Sequence, residues 1–127
     1  MEHILIVDDM VVNLKTAKYI LEDKYKISLV TSGFQALQFL EKNFPELPDL
    51  ILMDILMPGM DGIATIHKIN NIYGAGTIPV IFFTSVADKE TIVECYNAGL
   101  KDYIVKPFNP NDMLEKISKV LERKDDD

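Results

Sequence analysis

Five short apolar runs limit what this chain can fold into. Ile4 to Val7 leads straight into Asp8 and Asp9. Asp49 to Met53 leads into Asp54, Pro79 to Phe83 into Thr84, and Tyr103 to Val105 into Lys106. The remaining run, Ile27 to Thr31, ends without a charge. The runs are continuously apolar rather than strictly alternating. That pattern fits strands covered on both faces, as in a buried parallel sheet.

Helical patterns fill the gaps. Leu14, Ala17 and Leu21 repeat at three and four residues. Ser32 with Gln35 reads as a capping box before Leu37, Leu40 and Phe44. Asp61 is placed to cap a helix carrying Ile63, Ile66 and Ile69. Asp88 is placed to cap one carrying Ile92, Val93 and Tyr96, closed by Gly99 at its C-cap. Asn109 as N-cap with Pro110 at the first helical position opens the last helix, whose stripe is Met113, Leu114, Ile117, Val120 and Leu121. Five strands alternating with five helices predict an α/β fold with a doubly wound parallel sheet and right-handed crossovers.

The chain has 127 residues and is 48% hydrophobic, enough for one ordinary core. One domain is expected over residues 1–122, with 123–127 a charged tail or the start of a linker. From the opening Met the expectation is that this domain is N-terminal in its protein, either standing alone or ahead of an effector domain. The net charge of −7 repels nucleic acid and anionic membranes, so neither is expected to bind this domain alone. A single Cys excludes a disulfide-stapled scaffold. No apolar run approaches a membrane span, and the N-terminus lacks the basic region and cleavage site of a signal peptide. A cytoplasmic location is the expectation.

Ligands of an open parallel sheet sit outside the carboxyl ends of its strands. Asp8, Asp9, Asp54, Thr84 and Lys106 all fall there. Three clustered carboxylates do not ionise together cheaply without a cation. Their hard oxygens suit Mg²⁺, which prefers one or two carboxylates with waters and phosphate. Lys106 adds a point charge and Thr84 a hydroxyl donor. The set reads as Mg²⁺-assisted phosphoryl chemistry with a carboxylate able to act as nucleophile. His3, His67 and Cys95 have no neighbours that suggest chemistry, and Cys95 reads as a buried structural thiol. Met53, Met57 and Met60 read as gap-fillers around Asp54.

From Ile4 to Leu121 the sequence resembles the receiver domain of bacterial two-component response regulators, of the chemotaxis-regulator kind. The resemblance rests on Val7-Asp8-Asp9, on Asp54-Ile-Leu-Met57-Pro58-Gly-Met60-Asp61-Gly62, on Thr84-Ser85, on Ala98-Gly99-Leu-Lys-Asp-Tyr103 and on Lys106-Pro107-Phe108. It implies a flavodoxin-like sheet in the order 2-1-3-4-5. It implies Asp54 as phosphoacceptor, Asp9 as a direct Mg²⁺ ligand, Asp8 acting mainly through a water, and the backbone carbonyl of Leu56 completing the metal site. Lys106 would contact the phosphoryl group, Thr84 would move to bond it, and Tyr103 would be the switch aromatic that turns inward. A cis peptide is implied at Lys106-Pro107. The resemblance further implies that Leu56 and Val86 stand at the two positions that tune phosphoryl lifetime in the family, and neither side chain can orient an attacking water, so self-dephosphorylation is expected to be slow.

The implied function is a phosphorylation-dependent signalling switch rather than an enzyme, beyond catalysing its own phosphorylation and slow dephosphorylation. Its phosphodonor would be a histidine kinase or phosphotransfer protein. Its output surface would be the fourth helix, fifth strand and fifth helix, from Asp88 to Leu121, which offers a place for a homodimer or an effector domain. The alternative is a haloacid-dehalogenase-like phosphatase, which shares the nucleophilic Asp, hydroxyl, Lys and Mg²⁺. Its DxD motif is missing, since Asp54 is followed two residues later by Leu56. A nucleotide or flavin binder would need a glycine-rich loop after the first strand, where Asp8 and Asp9 stand instead.

Overall fold

The computed structural model describes residues 1–85 and 88–126. The elements follow in strict alternation: β1 His3–Val7, α1 Val11–Leu21, β2 Lys26–Val30, α2 Gly33–Asn43, β3 Leu50–Met53, α3 Gly62–Tyr73, β4 Val80–Thr84, α4 Lys89–Asn97, β5 Asp102–Val105 and α5 Pro110–Asp126. All strand pairs are parallel, in the order β2-β1-β3-β4-β5. Fold class and strand order are as the sequence implied.

The central strands β3 and β4 are buried along their whole length, which is why they read as unbroken apolar runs. Successive side chains go to opposite faces of the sheet. Ile4 and Ile6 meet Leu14, Ala17 and Leu21 of α1 and Met113, Ile117 and Val120 of α5. Leu5 and Val7 share the other core cluster with Ala36 and Leu40 of α2, Ile66 and Ile69 of α3, and Cys95 and Ala98 at the end of α4. Each such fully buried aliphatic side chain contributes about 1.5–3 kcal/mol. The three methionines bracketing Asp54 are all buried, as expected of gap-fillers.

The helix starts obey their caps. Ser32 Oγ accepts from Gln35 N, Asp61 Oδ1 from Ala64 N, Asp88 Oδ1 from Thr91 N and Asn109 Oδ1 from Asp112 N. Gln35 does not return its bond to the Ser32 amide: its Oε1 accepts from the amide and hydroxyl of Thr31. Three expectations need correcting. Phe44 is 61% exposed rather than part of the α2 stripe. The helix stops at Asn43 because Pro45 disfavours helical backbone at the residue before it, and Phe44 has ψ 136°. In α4, Val93 and Tyr96 are exposed and Cys95 faces the core. That helix has Ala98 as its C-cap, with Gly99 one position further on at φ +86°.

Cis peptides occur at Lys106-Pro107, as implied, and at Phe44-Pro45. Among the described residues no helix is long and apolar enough to cross a membrane. The α5 helix runs on to Asp126, past the last apolar position of its stripe at Leu121.

Candidate functional site

Strand register brings the carboxylates together. Val7 of β1 is paired with Met53 of β3, so the next residues, Asp8 and Asp54, leave the sheet side by side. Asp54 N donates to Val7 O at 2.9 Å, which fixes that exit. Asp8 is fully buried, Asp54 is 4% exposed and Asp9 is half-buried. One oxygen from each of the three carboxylates can be chosen so that all lie within 4.8 Å of one another.

Lys106 reaches the same place from the end of β5. Its amide donates to Thr84 O at 2.9 Å, and its side chain lies over the Phe83 ring, with Nζ 4.8 Å from the centroid. The ammonium sits 2.8 Å from Asp8 Oδ2 and 3.2 Å from Asp54 Oδ1. The other Asp8 oxygen, Oδ1, accepts from Met10 N at 2.8 Å. Both oxygens of Asp8 therefore already hold a short bond.

One ammonium does not balance three carboxylates. Burial, then the charge of Asp8, push the Asp54 carboxyl up to about 6, against the opposing pull of Lys106. A divalent cation among these oxygens would relieve that crowding. The donor set fits Mg²⁺: hard carboxylate oxygens, few in number, at the mouth of a sheet.

Thr84 is the buried last residue of β4, and Ser85 beside it is exposed. Leu56 is 59% exposed two residues beyond Asp54, while its neighbours Ile55 and Met57 are buried. Tyr103 is half-buried on β5, packed against the same core cluster as Cys95 and Leu100. Val86 lies outside the described residues.

Two features were not anticipated. Met10, Val11 and Val12, beside Asp9 at the start of α1, are all more than half exposed, so an apolar rim adjoins the carboxylates. A cavity of about 230 Å³ lined by Asn13, Thr16, Lys106, Pro107 and Phe108 opens next to Lys106. Met10 occupies the N-cap of α1 without a side-chain bond, and Asn13 lies within the first turn of the helix. Nothing in a linear reading separates an exposed Val at a helix start from a buried one.

Comparison with known proteins agrees with this geometry. Residues 4–118 match the model of the response regulator receiver domain. The chain is 37% identical over 118 residues to the chemotaxis protein CheY of Bacillus subtilis, covering 93% of this chain and 96% of that one. It is 34% identical over 122 residues to the transcriptional regulatory protein ResD of the same organism, covering 94% of this chain but 48% of that one. For several of the curated relatives it matches, the chain thus spans about half their length or less. Among solved structures, a CheY-like receiver domain protein from Methanospirillum hungatei JF-1 superposes with a TM-score of 0.87 at 34% identity, covering 99% of this chain and 98% of that one.

Proposed function

Because this chain belongs to the response regulator receiver family, we propose that it accepts a phosphoryl group on Asp54 from a partner histidine kinase or phosphotransfer protein, and signals by the change of shape that follows. The observation that carries this reading is the Lys106 ammonium held between Asp8 and Asp54 at the exit of three strands. A carboxylate poised beside a cation and two further acids is a nucleophile placed for phosphorus.

The step balances simply. An Asp54 carboxylate oxygen attacks the phosphorus of a phosphohistidine. The O–P bond forms as the P–N bond breaks, and that bond's electrons leave on the imidazole nitrogen, which takes up a proton. Asp9, Asp54 and the Leu56 carbonyl would hold Mg²⁺ directly. Asp8, both of whose oxygens are engaged, would act through a water. When bound, the ion supplies the positive charge that offsets the incoming phosphoryl group. Lys106 turns its ammonium from Asp54 toward a phosphoryl oxygen. Thr84 donates its hydroxyl to another. The ring of Tyr103 then turns inward and alters the surface formed by α4, β5 and α5. That surface is where a homodimer or effector domain would respond, while the apolar rim at Met10, Val11 and Val12 is suited to meet the donor. The site of action would be cytoplasmic.

Intact mass after exposure to acetyl phosphate tests the reading. The expected result is one added phosphoryl group that requires Mg²⁺ and is absent in Asp54→Asn. No gain by the folded, Mg²⁺-bound protein would overturn stoichiometric acceptance.

A further inference from the structure

Among the described residues Lys116 makes no bond to Asp8, Asp9, Asp54 or Lys106, yet it holds the residue on which the proposed switch turns. It lies on α5, which packs on one face of the sheet, whereas the Tyr103 side chain packs against the core cluster of the other face. β5 is the edge strand, so its outer side is open to a side chain coming round from α5. Lys116 Nζ donates to the Tyr103 carbonyl at 2.8 Å. The same nitrogen lies 5.4 Å from the centroid of the Tyr103 ring. Asp112, one turn earlier on α5, faces it at 3.5 Å.

These contacts differ in what they depend on. The Tyr103 carbonyl belongs to a strand fixed by its register with β4, where Tyr103 pairs with Phe82. Asp112 belongs to the same helix as Lys116. Neither contact needs the ring to be in any particular place. The ammonium is thus a stationary cation, and the Tyr103 ring is the one partner free to leave it. A group that contacts one ring position and not the other biases the equilibrium between them by the worth of that contact.

We propose that Lys116 is a positioning residue for the switch: its anchored ammonium holds the Tyr103 ring in the half-exposed position and so opposes the inward turn. This rests on the reading of Tyr103 as the moving aromatic. The contact sits at a partly exposed site, where a cation over an aromatic face is worth a factor of about two to five. Removing the charge should raise the inward population by that factor. The inward form is the one that fits a phosphoryl group, so apparent affinity for a phosphoryl mimic should rise equally.

Ring-labelled tyrosine observed by NMR reads the ring position directly, with Tyr103→Phe assigning the signal. Fluoroberyllate with Mg²⁺ serves as the equilibrium phosphoryl mimic. In the wild type, the Tyr103 signal should move when the mimic binds. In Lys116→Gln, which keeps a donor for the carbonyl, and in Lys116→Met, which does not, the signal should already lie part of the way there without the mimic. Mimic affinity should rise about two- to five-fold in both. Lys116→Arg, which keeps a cation over the ring, should stay near the wild type. A wild-type ring position and unchanged mimic affinity in both neutral variants, with thermal unfolding showing the fold intact, would overturn the role of Lys116. A wild-type ring that ignores the bound mimic would instead overturn the switch reading itself.

Discussion

The backbone of Gly62 lies against the Asp54 carbonyl so closely that a methyl group added at Gly62 would overlap that oxygen. The loop between them is closed by the Gly62 amide, which donates to Ile55 O at 2.8 Å. Gly62 is also the first residue of α3, held there by the Asp61 cap. The start of α3 and the residue proposed to take the phosphoryl group therefore cannot shift independently. Gly62→Ala is expected to cost on the order of 1–3 kcal/mol, the usual range for overpacking against atoms that cannot yield. It should also slow phosphoryl acceptance, since a small displacement of a reacting oxygen is costly. Gly33→Ala is the contrast. Its methyl would meet the Thr65 hydroxyl and the flexible end of the Met60 side chain, with no Asp54 atom among its nearest neighbours. Urea midpoints should fall in both variants, and acceptance from acetyl phosphate should fall mainly in Gly62→Ala. Equal acceptance in the two would show that the contact does not position Asp54.

The crowded carboxylates also set a pH dependence. The Asp54 carboxyl titrates at about 6 in the folded protein, raised by burial and Asp8, against 3.8 ordinarily. Between those values the folded state binds more protons than the unfolded state. The contribution of Asp54 is therefore fully present below about pH 4 and is lost as the pH rises through 6. Without divalent cations, Asp54→Asn should be more stable than the wild type at pH 7.5, on the order of 2 kcal/mol at 1.36 kcal/mol per unit. The gap should close toward pH 4.5, where the wild-type carboxyl is protonated. Added Mg²⁺ should stabilise the wild type more than the variant. Denaturant titrations at several pH values give all three comparisons. A variant less stable than the wild type at pH 7.5 would mean that the Lys106 pair outweighs the crowding.

What the sequence disclosed and what it hid divide along physical lines. The strand runs and the acids that end them were legible, because burial on both faces leaves an unbroken apolar run and the next residue falls at the sheet edge. Caps at Asp61, Asp88 and Asn109 were legible because they are local. The inward face of α4 was not. In nine residues and a C-cap, a stripe through Ile92 and Tyr96 and one through Cys95 and the C-cap Ala98 fit the helical period about equally well. Which one is buried depends on how the helix sits over the sheet. Pro45 could have been read as ending α2 one residue before Phe44, since the restriction it imposes is local. Lys116 left only its spacing from Asp112, an ordinary helical ion pair. Its bond to Tyr103 exists because β5 is an edge strand, and no one-dimensional pattern carries that.

The thiol of Cys95 should be inert in the native state. It is 2% exposed, and burial, followed by the charges of Glu94 and Asp61, pushes it up to about 11. The thiolate is the reactive species, so at pH 8 both access and ionisation oppose attack. Reaction with an aromatic disulfide reagent should run at least about 100-fold slower than in urea-unfolded protein and should track opening of α4 from the sheet. Rapid native labelling would mean that α4 leaves the sheet readily, and the core around Ala98 and Leu100 would have to be weaker than its burial implies.

Leu56 is expected to bear on how long a phosphoryl group would last. Its side chain stands 59% exposed two residues beyond Asp54, between buried Ile55 and buried Met57. It therefore lies at the surface rather than in the core, and an aliphatic group neither donates to nor accepts from a water. Hydrolysis of an acyl phosphate on Asp54 needs a water held in line with the O–P bond, and positioning of that kind is a large part of phosphoryl-transfer catalysis. Leu56→Asn would supply an amide able to orient that water. Because the position is exposed, the variant should lose little stability, within about 0.5 kcal/mol. It should shorten the lifetime of the phosphorylated protein by roughly three- to ten-fold, read as decay of the added mass after the donor is removed, an effect of the size expected from one positioned polar group. An unchanged decay in Leu56→Asn, and again in Val86→Glu, would show that the slow step is governed elsewhere.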